Sequence, residues 1–348
     1  MTDNTNPDAA EVHPRKTKCG CLLRGTGWAL MLLLLLLAFG AIVHDGPFGG
    51  MNTLAAWIWL AGLVVLLLVF RRKPWRGWIA VAGFLVVAGP WLAIQPSNDR
   101  TWSAEYARTP QAVVEGDTVT MHNVRSFRYT TGGVPTEERW ITRTVHFRNL
   151  RGIDLFMNYW GSPWMAHPIM SFDFGPDGRL AFSVETRRER GETYAALGGI
   201  YKMYELIYSV SEESDVIGMR THHCPEELFV YRLTATPELA RARFLEYVAR
   251  VNALHARPEW YRLVRGNCTT SIFSQIDPRD RDKRQWDWRI LVNGKMDRLL
   301  YEQGLFAGGE GLGFEDWRNK ARIHLPLPEP TDPGYSAALR AGKPGFGN

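Results

Sequence analysis

Residues 167–187 read HPIMSFDFGPDGRLAFSVETR. Two alternating runs, Pro168 to Phe174 and Arg179 to Arg187, flank the turn residues Gly175-Pro176-Asp177-Gly178. Alternation with period two about such a turn predicts a β-hairpin. Working outward, strands are predicted over Val119 to Tyr129, Ile141 to Phe147 and Gly152 to Trp160, and again over Glu227 to Leu233. Thr236-Pro237-Glu238 then gives an N-cap, a first-turn proline and an acid at the positive end of a helix. Phe244, Val248, Val251 and Leu254 continue at helical spacing up to Arg257-Pro258. A second helix is expected to start just after Asn267. The expected fold of this region, 113–325, is therefore α+β with antiparallel strands.

The amino-terminal third is of another kind. Thr26 to Val43, Thr53 to Phe70 and Gly77 to Ile94 each run without a charged side chain. Each is close to the ~20 residues that cross a hydrocarbon core as a helix. Three such runs in succession, with tryptophans at their ends, predict a transmembrane module over 26–94. The net charge of the chain is +5. Nine Lys and Arg against five Asp and Glu fall in the first hundred residues, so four of those charges belong to the membrane module. The remainder is near neutral and lacks the clustered basic charge of a nucleic-acid surface. Basic residues precede the first run (Arg15, Lys16, Lys18, Arg24) and fill the second loop (Arg71, Arg72, Lys73, Arg76), whereas 44–52 has none. The positive-inside rule then puts the amino terminus of a multi-pass protein in the cytoplasm and everything after Ile94 on the outer face, which for a bacterial inner membrane is the periplasm. Residues 1–25 read as a cytoplasmic tail, 95–112 as a polar linker, and the Pro- and Gly-rich 326–348 as a flexible tail.

Chemistry is sought on the outer side. Cys224 and Cys268 could pair as a disulfide in an oxidising compartment. Alternatively, Cys268 sits in Gly266-Asn267-Cys268-Thr269-Thr270, where a loop enters a helix. Amides at Asn267 and Thr269 and the helix end would favour a thiolate there and could hold an oxyanion. Of seven outer histidines, His167 at the start of its strand is the best placed general base. Glu185, on the next strand, and Glu205 are candidates to orient its ring. His222-His223-Cys224 has ligand residue types but no second cluster, so no metal is expected. No phosphate-binding loop or dinucleotide fingerprint occurs, so no cofactor is expected.

Several ordered blocks carry a family resemblance: His167 to Phe172, Ser183 to Glu189, Tyr204 to Tyr208, Asp215-Val216-Ile217 with Arg220-Thr221, and Asn267 to Thr270. In these, residues about 120 to 275 resemble the Lnb N-terminal periplasmic domain family, related to bacterial lipoprotein N-acyltransferases. The resemblance implies a thiol-dependent acyl transfer with Cys268 and His167 as catalytic positions. The His-before-Cys order, with the Cys on a helix, also looks like the permuted papain-like fold of lecithin retinol acyltransferase and its relatives, which draw acyl chains from phospholipid. The implied partners are membrane lipid and a lipoprotein acceptor. Two other readings use the same residues. One is a papain-like peptidase or amidase acting on cell-wall peptide, and the other a non-catalytic binding domain closed by a Cys224–Cys268 disulfide.

Overall fold

A computed structural model describes residues 18–224, 226–262, 287–290, 293–308 and 310–347. The chain divides into two compact units, Met1–Ile94 and Gln95–Asn348.

The first unit is three mutually packed helices: α1 (Lys18–Asp45), α2 (Asn52–Val69) and α3 (Arg76–Ala93). All three are long and apolar enough to cross a membrane. Small residues predominate at the contacts: Ala38, Ala41, Ala56, Ala80 and Ala88 are buried, together with Leu63, while Leu33, Ile58, Leu68 and Val86 are exposed. Between helices in lipid there is little hydrophobic drive, so close backbone approach through small residues does the packing. Gly83 shows this: a Cβ there would lie 2.8 Å from Leu63 Cδ1.

The second unit is built on a mixed, predominantly antiparallel sheet of β1 (Gln111–Glu115), β2 (Thr118–Arg125), β5 (Trp140–His146), β6 (Gly152–Tyr159), β7 (Ala166–Asp173), β8 (Arg179–Arg187), β9 (Glu205–Ser211) and β10 (Glu227–Arg232). The order is β1-β2-β9-β8-β7-β6-β10, with β5 also on β2. The one parallel contact joins Arg125 of β2 to Ser211 of β9. A small ribbon, β3 (Arg128–Tyr129) and β4 (Pro135–Glu137), stands apart. The hairpin read from 167–187 is β7–β8, its turn requiring glycine at Gly175 (φ 53°) and Gly178 (φ 90°). Strands β1, β4 and β9 were not among the expected ones.

Alternation gives the sheet two unlike faces. On one, Met170, Phe172, Phe182, Val184, Tyr208 and Val210 pack against α5 (Pro237–Ala256). Phe244 of α5 makes edge contacts with Phe147, Phe172, Phe174 and Phe182. The Thr236 hydroxyl caps α5 by accepting from Leu239 N. The opposite face carries a smaller apolar cluster of Phe156, Ile169, Ala181, Leu228 and Val230. It is covered by α4 (Glu213–Gly218), its π-turn continuation Met219–His223, and the closing segment.

Two expectations are corrected here. The segment 326–348 is packed, with Tyr335, Leu339 and Arg340 at most 5% exposed. Its Pro and Gly residues make turns, but the side chains between them fill a site on the sheet. The linker 95–112 is likewise part of the unit. Asn98 Nδ2 caps the carbonyls of Leu254 and His255 at the end of α5, and Trp102 is buried under the Arg187 guanidinium, 4.0 Å from its ring centroid.

Candidate active site

The polar side chains of the second face converge where β7 and β8 begin to part. The β7–β8 ladder ends at the pair Ile169–Ser183, and extending that register by two places Glu185 opposite His167. Residues 167, 183 and 185 all point to the same face, so the hairpin itself assembles the group.

His167 Nε2 lies 3.0 Å from Glu185 Oε1 and 2.6 Å from Ser183 Oγ. Ser183 donates its single O–H to Glu185 Oε1 at 2.6 Å. That hydroxyl can then only accept from the imidazole, so this network assigns the ring proton to Nε2 and leaves Nδ1 as the basic nitrogen of the neutral ring. Burial works against a charged Glu185, but the His167 ring, Arg220 and the Ser183 hydroxyl together outweigh it. Its carboxyl is held well below the usual range and stays ionised. His167 is 8% exposed. The Trp160 ring lies 6.4 Å from it, on the loop that leads into β7.

Arg220 reaches the group from the π-turn after α4, a local widening of the helix often found at functional sites. Its Nη1 donates to Val216 O at 2.7 Å, while its buried Nε has no hydrogen-bond partner among the described residues, Glu226 being 3.9 Å away. Further along the same face, Ser171 donates to Glu213, and Arg340 bridges Glu213 and Asp154. Arg232 joins Asp154 at 2.6 Å and Asp173 at 3.3 Å.

The structure thus brings His167 and Glu185 together. Glu205 is elsewhere, accepting from Ser97 N and paired with Arg100. Cys268, Asn267 and Thr269, and with them the helix expected after Asn267, lie outside the described residues. Cys224 is a half-buried thiol in no disulfide among the described residues. His222 contacts the Thr221 hydroxyl and His223 faces Tyr129. No group of three metal-ligating side chains occurs among the described residues. Ser183 and Arg220 were missed from sequence. Ser183 could have been found, because strand alternation puts it on the face of Glu185.

The fold and this cluster define a class: an α+β domain bearing a largely buried His–Glu pair, on a chain with three helices fit to span a membrane. Residues 136–294 match the family model of the Lnb N-terminal periplasmic domain, which supports the family that the sequence resembles. The match spans the β5 to β10 strands and α5 and leaves out the three apolar helices. Together these findings describe an inner-membrane protein with a periplasmic domain. No curated protein and no solved structure matches the chain.

Proposed function

We propose that the second unit is a thiol-dependent acyltransferase that moves an acyl chain from a phospholipid to an amine, such as the amino terminus of a lipoprotein. The observation that carries this reading is the His167–Glu185 pair at 3.0 Å, in which a base is oriented by an ionised carboxylate. His167 Nδ1 takes the proton of the Cys268 thiol, and the thiolate attacks the ester carbonyl carbon of the lipid. Amides at Asn267 and Thr269 hold the resulting oxyanion. The C–O bond then breaks, and His167 returns the proton to the departing lysophospholipid hydroxyl, leaving an acyl thioester on Cys268. An amine attacks the thioester, gives its proton to His167 and leaves as the amide, and the proton returns to sulfur. Throughout, Glu185 compensates the positive charge that builds on the ring.

The reading includes a permuted papain-like arrangement, with the His strand preceding the Cys helix, and an amino terminus in the cytoplasm. The absence of Lys and Arg from 44–52, between basic flanks, supports that orientation. The decisive experiment incubates the full chain in nanodiscs with phospholipid carrying a labelled acyl chain. A hydroxylamine-sensitive label on Cys268, lost in Cys268→Ala and in His167→Ala, is the expected result. Label that persists in both variants sinks the proposal. Accumulation of free acid with or without an amine present moves it to a hydrolase, and a Cys224–Cys268 disulfide in the unreduced active chain removes the nucleophile.

A further inference from the structure

Strand β6 ends at Tyr159 and β7 begins at Ala166, and the loop between reads WGSPWM. Three of its six residues carry side chains that are large, apolar and open to solvent: Trp160 is 42% exposed, Trp164 52% and Met165 50%. Trp288, 47% exposed, joins them with its ring 6.3 Å from that of Trp164. The patch is continuous with the candidate site, since Trp160 is the residue beside His167.

This exposure is not slack. The turn 293–295 clamps the loop: Gly294 N donates to Trp164 O at 3.1 Å, and Ala166 N donates to Asn293 Oδ1 at 2.9 Å. The approach is so close that a Cβ at Gly294 would lie 2.5 Å from the Trp164 carbonyl carbon. The same turn sets Lys295 Nζ 4.8 Å over the Trp164 ring. Lys295 has no carboxylate partner among the described residues. A braced loop that keeps three large apolar groups in water marks a surface that meets something other than water.

The residue types say what it meets. Indole rings favour the headgroup level of a bilayer, and a lysine on the same patch complements lipid phosphate. The chain itself carries three helices fit to span that bilayer. We propose that the loop 160–165, with Trp288 and Lys295, seats in the interface of the phospholipid bilayer, Lys295 meeting a headgroup phosphate. The Trp160 end then presents a lipid ester to His167, a clause that rests on the acyl-transfer reading; the lipid contact itself does not.

The test uses the full chain in nanodiscs of phosphatidylethanolamine and phosphatidylglycerol. They are doped with a phosphatidylethanolamine bearing a diazirine near the ester end of its acyl chain. After irradiation, lipid adducts are mapped by mass spectrometry. Adducts are expected on 160–165 and on Trp288, besides those on the three helices. The double variant Trp164→Ser with Trp288→Ser should lower adducts on Trp160 and Met165 by about tenfold, and Lys295→Glu severalfold, with helix adducts unchanged. Trp164 and Trp288 are exposed and Lys295 is half-buried, so variant melting temperatures should stay within about 2 °C of wild type. A loop without adducts while the helices are labelled overturns the proposal, as does a double variant labelled like wild type. Repeating the mapping in Cys268→Ala separates the two proposals. Loop adducts without a thioester in wild type leave this one standing and sink acyl transfer, and a thioester without loop adducts does the reverse.

Discussion

Replacing Glu185 with glutamine keeps the shape of the side chain and removes its charge. In wild type, Oε1 stands 3.0 Å from His167 Nε2. At an effective dielectric of about 20, a full imidazolium–carboxylate attraction at that distance is worth about 5 kcal/mol. The charge on the ring is complete only when the thiol proton has moved, so most of this term appears in the transition state and not before. A neutral amide oxygen still accepts from Nε2, and charged hydrogen bonds are about twice as strong as neutral ones, so a third to a half is retained. About 3 kcal/mol is lost, which is on the order of a hundredfold in rate. The amide can also turn its NH2 toward the ring, and Ser183 then loses the acceptor it now uses at 2.6 Å. Single-turnover formation of the Cys268 thioester in nanodiscs, at saturating lipid, reads the chemical step without lipid binding. The expected result is a fall of about a hundredfold in that rate for Glu185→Gln, with lipid half-saturation within a factor of about three. A rate within threefold of wild type would show that the carboxylate does not orient or compensate His167.

Two further substitutions test the surroundings. Arg340→Met leaves the buried Asp154 and Glu213 without a cation that now lies 2.7 and 2.9 Å from them, which should cost ~3–5 kcal/mol, moderated by Arg232 on Asp154. Thermal unfolding of the full chain in detergent should fall by roughly 10 °C, whereas a freely moving tail predicts no shift beyond about 1 °C. Glu205 is buried, and this outweighs its contacts with Ser97 N and Arg100, raising its pKa from 4.5 to about 7. The folded state therefore binds this proton more tightly than the unfolded one, and stability declines as pH rises through that window and levels above it. Relative to Glu205→Gln, wild type should lose up to about 3 kcal/mol between pH 5 and pH 8; parallel melting curves would refute the assignment.

What the sequence made legible follows from the range of the interactions. Spans depend on local apolar length, and helix α5 on spacing and a cap, so both could be read within a few residues of their ends. The β7–β8 hairpin was legible for the same reason, and with it the pairing of His167 with Glu185, because one turn sets the register. The partners of Arg340 lie 127 and 186 residues away in sequence, and no periodicity announces them. Glycine and proline in that segment mark turns, which is compatible with a packed strap as much as with a loose end. Strand β9 was hidden for a related reason. It is buried on both faces, so ELIYSVS shows no clean alternation of apolar and polar residues.

The two faces of the sheet divide the work that those long-range contacts make possible. The face toward α5 is held mainly by aromatic packing. The other face buries Asp154, Glu213, Arg340 and His167 and half-buries Glu185, groups that each lose hydration on folding. For Glu213 and Glu185 the opposing charges outweigh that loss and keep the carboxylates ionised, while Asp154, despite two arginines, is pushed upward by burial. A face so built stabilises less than an apolar one of equal area, so its retention beneath α4 and the closing segment is best explained by what it holds still. Ser171 and His167 point the same way from one strand, four residues apart, and Ser171 is tied through Glu213 to Arg340. The closing segment thereby braces the strand that carries the base, and loosening it should disturb the orientation of His167 before it unfolds the sheet.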